Sequence, residues 1–204
     1  MTHSLVIASG NAGKLREFKR LFQSTGLEVK AQSEFSVPEV AETGLTFAEN
    51  AIIKARHASK ICELPAISDD SGIEVDALKG APGIYSARYS ELGGDKANNT
   101  KLVEALKGLP KEERRARYQC VLVFMRHALD PTPIIAQGSW EGYILEQAQG
   151  ENGFGYDPLF WVPTHECSSA QLAPEVKNGI SHRAVAMAEL TRLLRQQQPE
   201  LFKP

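Results

Sequence analysis

The chain has 204 residues, of which 42% are hydrophobic and 24% charged, the proportions of an ordinary globular protein. A formal net charge of −2 argues against a protein that coats nucleic acid, and no apolar run approaches the roughly 20 residues of a membrane span. No basic region followed by an apolar stretch opens the chain, so we expect no signal peptide. The three cysteines are widely spaced, which indicates reduced thiols. We therefore expect a cytoplasmic protein that binds neither nucleic acid nor a membrane.

A strand, a glycine-rich turn and a helix are predicted at the start of the chain. Residues 5–8 are apolar, residues 9–14 read SGNAGK, and apolar side chains at helical spacing follow. Backbone N–H groups in such a turn, with the helix N-terminus and Lys14, attract an anion. The turn is not a P-loop, because Leu15 stands where a serine or threonine would hold a metal. The residues alone support a phosphate site and a plain turn equally.

A second strand fits residues 27–31, and a second helix is predicted to begin at Thr46. Thr46 and Glu49 form a capping-box pattern, and its buried face is formed by apolar residues at helical spacing: Phe47, Ala51, Ala55, Ala58 and Cys62. Asn50 and Lys54 are four residues apart and share a different face. Glu42, just before this helix, is either a metal-directed carboxylate or, as is commoner for a lone glutamate, a surface residue.

Two adjacent acidic residues, Asp69 and Asp70, lie within residues 68–72 and precede an alternating strand pattern at residues 73–76. Adjacent carboxylates repel each other and are hard to bury unless a cation or hydrogen bonds compensate them. Their oxygens suit Mg²⁺, which commonly takes one or two carboxylates together with substrate phosphates. Aspartate, serine and glycine are also turn residues, so this segment taken alone favours a solvated turn.

The later pattern predicts a helix, a hairpin, a short strand and a final helix. The helix covers residues 95–107 with Leu102, Ala105 and Leu106 inward, and the hairpin joins strands at residues 118–126 and 133–144. Residues 160–162 form the short strand, and Ser181 caps the final helix. Alternating strands and helices followed by a hairpin favour an α/β or α+β architecture with a mixed sheet.

Two later segments have residues that suit the binding of a nucleotide base and of the polar groups at its edge. Glycines flank Phe154 within residues 152–158, and an exposed ring there is a stacking platform for a base, although the aromatics could equally fill the core. His182 and Arg183, which follow Lys177, fall in the first turn of the final helix, where the helix dipole disfavours positive side chains. This placement indicates an anionic or carbonyl-rich ligand; the alternative is a structural histidine and a surface arginine.

These segments occur in the order found in a known family. They are SGNAGK at 9–14, TFAENA at 46–51 with Lys54 and Ala55, SDDSG at 68–72, GAPGIYSAR at 80–88, GFGYDP at 153–158 and SHR at 181–183. From residue 5 to about residue 194, the chain closely resembles the noncanonical purine nucleoside triphosphate pyrophosphatases, the inosine triphosphatase family, and especially its bacterial members. Ser68 departs from the family pattern, in which alanine is common at this position.

The resemblance implies an α/β fold with an elongated mixed β-sheet, flanked by helices and divided into two lobes around a central cleft. It implies a single pyrophosphatase domain over residues 1–204, which is usually a homodimer. The implied reaction hydrolyses ITP, dITP and XTP to the monophosphate and pyrophosphate, by metal-assisted attack of water on the α-phosphorus. This reaction removes deaminated purines from the nucleotide pool. The implied metal is Mg²⁺, with Mn²⁺ as the alternative.

The resemblance also assigns roles to residues of this chain. Asp70 is the expected catalytic residue, as a general base or water-positioning group, and the expected metal ligands are Glu42, Asp69 and Asp70. The phosphates are expected to meet Ser9, Gly10, Asn11, Ala12, Gly13, Lys14, Lys54 and Lys177. The base is expected to meet Ser71, Phe154, Gly155, Tyr156, Asp157, His182 and Arg183. Donors at His182 and Arg183 suit a 6-oxo group and not the 6-amino group of adenine. They do not explain how GTP is rejected.

Two other classes of function compete with this interpretation. One is a related house-cleaning pyrophosphatase of the Maf-like group, which acts on pyrimidine or modified nucleotides; Phe154 and the residues at 181–183 favour purine recognition instead. The other is a sensor that binds a nucleotide without hydrolysis, which would not need carboxylates to activate water. A covalent aspartyl phosphatase is disfavoured, because the aspartate pair lacks the alternate-residue spacing of those enzymes.

Overall fold

The structure, a computed structural model, describes residues 4–10, 12–23 and 27–202, without the side chains of residues 12, 17 and 21. The helices are α1 (Ala12–Leu21), α2 (Phe47–Cys62), α3 (Asp95–Ala105), α4 (Pro174–Ile180) and α5 (His182–Gln197). The strands are β1 (Ser4–Ile7), β2 (Glu28–Ala31), β3 (Ala66–Val75), β4 (Arg115–Met125), β5 (Ile134–Ile144), β6 (Phe160–Val162) and β7 (Cys167–Ser168). Short 3₁₀ helices occur in several of the connections.

The strands form one mixed sheet of seven strands in the order β2–β1–β3–β4–β5–β6–β7. β1 pairs in parallel with β2 and β3, and Val6 lies opposite Ala66. β6 pairs antiparallel with β5 and β7, and Tyr143 lies opposite Trp161. A mixed sheet with helices between its strands and after the last one confirms the predicted α/β fold.

The chain divides into two compact units. Unit 1 contains residues 1–70, 121–137 and 186–204, and unit 2 contains residues 71–120 and 138–185. The expected single domain with two lobes and a central cleft stays a prediction. Among the helices that the structure describes, none has both the length and the apolar character that crossing a membrane requires.

In unit 1, α2 has the predicted cap and the predicted buried face. The Thr46 hydroxyl accepts a hydrogen bond from the Glu49 N–H at 3.2 Å, while the Glu49 carboxylate accepts one from the Leu45 N–H at 2.8 Å. The buried residues of α2 include all five expected ones, Phe47, Ala51, Ala55, Ala58 and Cys62. Asn50 is also buried, and its side-chain oxygen accepts from the Gly44 N–H at 2.9 Å, which ties the segment before α2 to the helix.

In unit 2, one cluster of buried side chains forms the core. It consists of Ile73, Val75, Leu102, Leu106, Ala116, Tyr118, Trp140, Ile144, Tyr156, Leu159, Phe160, Val162 and Leu172. Leu102 and Leu106 lie one turn apart and define the buried face at the end of α3. Ala105 is exposed, so its predicted inward position is wrong, because these two leucines already cover the core.

We expect the Thr46→Ala substitution to lower the free energy of unfolding by about 1 kcal/mol, because it removes the side-chain acceptor at the N-terminus of α2. Urea denaturation followed by circular dichroism measures this. Thr43→Ala, at an exposed position three residues earlier, is the matched control and should leave the free energy nearly unchanged. Equal effects of the two substitutions would contradict the capping assignment.

Candidate active site

The glycine-rich segment leads from β1 into α1, as predicted. Gly10 is exposed and Ser9 is half-buried, while Gly13 and Lys14 lie in the first turn of α1. Ala12 is the first residue of that helix, and Asn11 lies outside the described residues. A helix N-terminus carries partial positive charge, so this end of α1 is electrostatically suited to an anion.

Asp69 and Asp70 lie within β3 and not in a turn, which corrects the interpretation that this segment, taken alone, favours a solvated turn. Asp69 is buried, with 4% of its surface exposed, and the Lys14 ammonium lies 2.5 Å from its carboxylate. Burial of a carboxylate is tolerable when a cation neutralises it. The backbone can therefore stay extended through an acidic pair that would otherwise be expected in water.

Lys54 lies between two acidic groups from different parts of the chain. Its Nζ is 2.8 Å from Glu42 Oε1 and 2.8 Å from Asp70 Oδ1. α2 supplies the lysine, the segment before α2 supplies the glutamate, and β3 supplies the aspartate. Unit 1 thus brings together five predicted site residues. Two are lysines, Lys14 and Lys54, and the other three are the carboxylates that these lysines contact.

The surroundings of Asp70 and Lys54 change the acidity of both groups. Burial raises the pKa of the Asp70 carboxyl above its ordinary value and outweighs the opposite effect of the Lys54 charge; Glu42 and Asp69 raise that pKa further. For Lys54, burial alone would lower the pKa, but the charge of Asp70 and the hydrogen bonds to Asp70 and Glu42 raise it overall. Lys54 therefore stays charged, while Asp70 is a stronger proton acceptor than an ordinary aspartate.

In the part of the chain that the structure describes, no three His, Cys, Asp or Glu side chains are grouped as the ligands of a metal ion. Of the predicted ligands, Glu42 and Asp70 share Lys54, and Asp69 is paired with Lys14. The donors are nevertheless hard carboxylate oxygens, two of which lie at the same distance from a single cationic nitrogen. This is the chemistry that Mg²⁺ prefers, so the residues fit a hard divalent cation.

In unit 2, Phe154 presents its ring to solvent beside a lysine. The side chain is 64% exposed, and the Lys177 Nζ lies 5.2 Å from the ring centroid. The same ammonium lies 2.5 Å from the Asp157 carboxylate. Lys177 is therefore placed with Phe154 and Asp157 in unit 2, whereas Lys14 and Lys54 lie in unit 1.

Asp157 organises the Phe154 loop from a buried position. Only 2% of the residue is exposed, and besides Lys177 its carboxylate accepts from the Phe154 N–H at 2.9 Å, the Ser169 hydroxyl at 2.9 Å and the Tyr118 hydroxyl at 3.4 Å. Burial, followed by the Asp157 charge, raises the pKa of Tyr118 well above its ordinary value, so the phenol keeps its proton and donates. No local sequence pattern marks Ser169 or Tyr118, so the sequence did not predict that either residue supports the site.

The remaining predicted base-binding residues have mixed surroundings. Tyr156 is buried, and its hydroxyl donates to the Ser86 carbonyl at 2.8 Å. His182 is buried at the start of α5, and its ring stacks on Tyr118 with a centroid distance of 4.7 Å. Arg183 is half-buried in the same helix, and Ser71 is half-buried in β3. His182 and Asp157 thus both contact the Tyr118 side chain.

Comparisons with known proteins show the family to which the chain belongs. The model of the Ham1 family matches residues 5–193. A dITP/XTP pyrophosphatase of Vibrio parahaemolyticus is 60% identical over 187 residues, which cover 91% of this chain and 94% of that protein. One of Pseudomonas aeruginosa is 57% identical over 190 residues, which cover 93% of this chain and 96% of that protein.

Solved structures extend this similarity to the fold. A HAM1 protein from Coxiella burnetii matches with a TM-score of 0.91 and 45% identity, over 96% of this chain and 100% of that chain. The Ham1 protein of Staphylococcus aureus matches with a TM-score of 0.88 and 42% identity, over 95% of this chain and 99% of that chain. These similarities confirm the family resemblance.

We expect Asp70→Asn to change the pH dependence of stability. The raised pKa defines a pH window between the ordinary value of 3.8 and the pKa of Asp70 in the folded protein. Within this window the folded protein holds a proton on Asp70 that the unfolded chain releases. The wild type therefore loses stability as the pH rises through this window, and the asparagine variant does not. The unfolding free energy of the variant minus that of the wild type should increase with pH and then level off.

Urea denaturation of both proteins from about pH 3 to about pH 8 measures this difference across the window. Glu112→Gln, at an exposed site in unit 2, controls for the loss of one carboxylate. A difference that stays flat or decreases with pH would show that the pKa of Asp70 is not raised.

Proposed function

Because the chain belongs to the Ham1 family, we propose that it hydrolyses noncanonical purine nucleoside triphosphates, namely dITP, XTP and ITP, to the monophosphate and pyrophosphate. The observation that carries this proposal is the cluster in unit 1, where Lys54 lies 2.8 Å from both Glu42 and Asp70. Relatives that are 60% and 57% identical to this chain are dITP/XTP pyrophosphatases, which supports the same reaction here.

The lysines supply the charge that a triphosphate requires. Lys14 and Lys54 would exchange their carboxylate partners for phosphate oxygens, helped by the N–H groups and partial positive charge at the start of α1. The proposed phosphate contacts include the segment from Ser9 to Lys14, with Asn11. Lys177 is proposed to contact the phosphates, and its placement beside Phe154 supports a position near the nucleoside end of the substrate.

Asp70 is the proposed general base. It takes a proton from water, the water oxygen forms a bond to the α-phosphorus, and the bond from that phosphorus to the bridging oxygen breaks, so that pyrophosphate leaves. A raised pKa supports this role, since it makes the carboxylate a better proton acceptor.

Ham1-type nucleotide pyrophosphatases are generally metal-dependent. We propose Mg²⁺ as the metal, with Mn²⁺ as the alternative, held by Glu42, Asp69 and Asp70, whose carboxylate oxygens suit either ion. When bound, the ion supplies charge neutralisation at the phosphoryl oxygens. Release of these carboxylates from Lys14 and Lys54, as the lysines turn to the phosphates, would make their oxygens available.

Unit 2 is proposed to recognise the base of the substrate. The exposed Phe154 ring would stack on the purine, and donors at His182 and Arg183 would meet the 6-oxo group. Ser71, Gly155, Tyr156 and Asp157 complete the proposed base-binding set. The buried contacts of Tyr156 and Asp157 support an indirect part, in which they hold the loop that carries Phe154.

We further propose a homodimer that works in the cytoplasm. Cys62, Cys120 and Cys167 are all free, which supports a reducing compartment. The homodimer rests on the family resemblance. Identity above 55% to dITP/XTP pyrophosphatases disfavours the Maf-like and sensor alternatives.

We expect pyrophosphate release from dITP and XTP to exceed release from dATP by about 10⁴-fold in kcat/KM, because a donor facing the 6-amino group leaves both groups without partners. A coupled pyrophosphate assay with Mg²⁺ measures these rates, and the same assay with excess EDTA should show almost no release. Equal rates on dITP and dATP would refute purine 6-oxo recognition. Binding of dITP without release of pyrophosphate would instead indicate a sensor.

A further inference from the structure

Helix α3 presents two side chains to one residue of the Phe154 loop. Asp95 Oδ2 accepts a hydrogen bond from the Gly155 N–H at 2.6 Å, and Asn99 Nδ2 donates to the Gly155 carbonyl oxygen at 3.0 Å. Asp95 and Asn99 are four residues apart, so they lie on the same face of α3. Together they bind both backbone polar groups of Gly155, and we name this pair of residues the α3 clamp.

The α3 clamp and Asp157 together fix the backbone on both sides of Phe154. The peptide group before Phe154 donates its N–H to Asp157 Oδ2 at 2.9 Å, and the peptide group after it donates to Asp95 Oδ2 at 2.6 Å. The Phe154 carbonyl accepts from the Asp157 N–H at 3.2 Å. Hydrogen bonds to carboxylates are stronger than neutral ones, so two charged acceptors determine the backbone orientation of this residue.

The loop needs this restraint, because its composition makes it flexible and its ring is not packed. Gly153 and Gly155, on either side of Phe154, adopt positive φ values of 82° and 60° that favour glycine. The Phe154 side chain is 64% exposed, so core packing does not fix it. A cavity of about 540 Å³ is lined by both α3 and the loop, among others by Val103 and Phe154. The α3 clamp connects the two elements beside this space.

We propose that Asp95 and Asn99 are positioning residues that hold the Phe154 ring ready to stack on the base of the substrate. This inference rests on the proposed function, in which Phe154 is the base platform. A ring that is already ordered loses less conformational entropy when the nucleotide binds, so the α3 clamp lowers KM. The chemical step takes place at the phosphates, so kcat depends little on the clamp.

Steady-state kinetics with dITP tests the proposal in the full-length protein. Asp95→Ala should raise KM by about tenfold, the effect of one hydrogen bond to a charged group, and should change kcat by less than about twofold. Asn99→Ala should raise KM by less, since it removes a neutral hydrogen bond. Asp95→Asn, which keeps an acceptor oxygen, should recover part of the loss. Lys107→Ala, at an exposed position just after the same helix, is the matched control and should resemble the wild type.

Two further measurements separate positioning from a general loss of structure. Hydrogen exchange in Asp95→Ala should be faster in peptides that cover residues 152–157 and unchanged in unit 1. In a Phe154→Ala background, the added Asp95→Ala substitution should no longer raise KM, because the α3 clamp acts through that ring. An Asp95→Ala effect on KM that persists without the ring would overturn the proposal and indicate a structural role.

The outcomes also distinguish this inference from the proposed function. If Phe154→Ala raises KM for dITP and Asp95→Ala does not, the positioning role is wrong and the base platform stands. If Phe154→Ala leaves KM unchanged, the base-binding assignment fails, and the positioning role fails with it. The proposal that the unit 1 residues carry out catalysis does not depend on either result, since pyrophosphate release from dITP tests it separately.

Discussion

The contact of one ammonium group with two carboxylates is the constraint on which the candidate site depends. Lys54 Nζ lies 2.8 Å from oxygens of both Glu42 and Asp70, and Lys14 neutralises the adjacent Asp69. Three carboxylates this close would otherwise repel one another and resist burial. The paired lysines let β3 carry an acidic pair through the sheet and keep the negative charge concentrated. Such a cluster can exchange its internal ion pairs for new ones. A triphosphate has the negative charge that suits the lysines, and a divalent cation has the positive charge that suits the carboxylates.

The residues proposed to bind the base depend on a different kind of restraint. Asp157 is buried and gathers four donors, from Phe154, Ser169, Tyr118 and Lys177. These contacts leave the Phe154 ring exposed while its backbone is held. Rigid support beneath an exposed ring is what stacking on a base requires, because an ordered platform has less freedom to lose on binding. The residues proposed for chemistry at the phosphates and those proposed for recognition of the base are therefore held by separate contacts.

Local patterns predicted most of the secondary structure. The cap at Thr46 and the buried face of α2 follow from residues within one or two helical turns, so the sequence contains all the information they need. The hairpin strands β4 and β5 and the cap at Ser181 were predicted for the same reason. α4 and β7 were missed, since seven and two residues are too short for a periodic pattern.

Contacts between distant residues explain the errors. The segment around Asp69 and Asp70 has the composition of a turn, but it is strand, because the cations that compensate the carboxylates come from α1 and α2. Similarly, Asp95 and Asn99 were predicted only as part of a helix. Their contact with Gly155 depends on how α3 packs within unit 2, which spacing along the chain cannot reveal.

The proposed role of Asp70 in activating water is tested most directly by the turnover of Asp70→Asn. The measurement is kcat for dITP at saturation with Mg²⁺, with circular dichroism and binding of a nonhydrolysable dITP analogue to show that fold and affinity persist. Loss of the general base predicts a decrease of about 10²-fold or more relative to the wild type and to the exposed control Glu112→Gln. A folded, nucleotide-binding Asp70→Asn protein with near-normal kcat would contradict the assignment of Asp70 as the base.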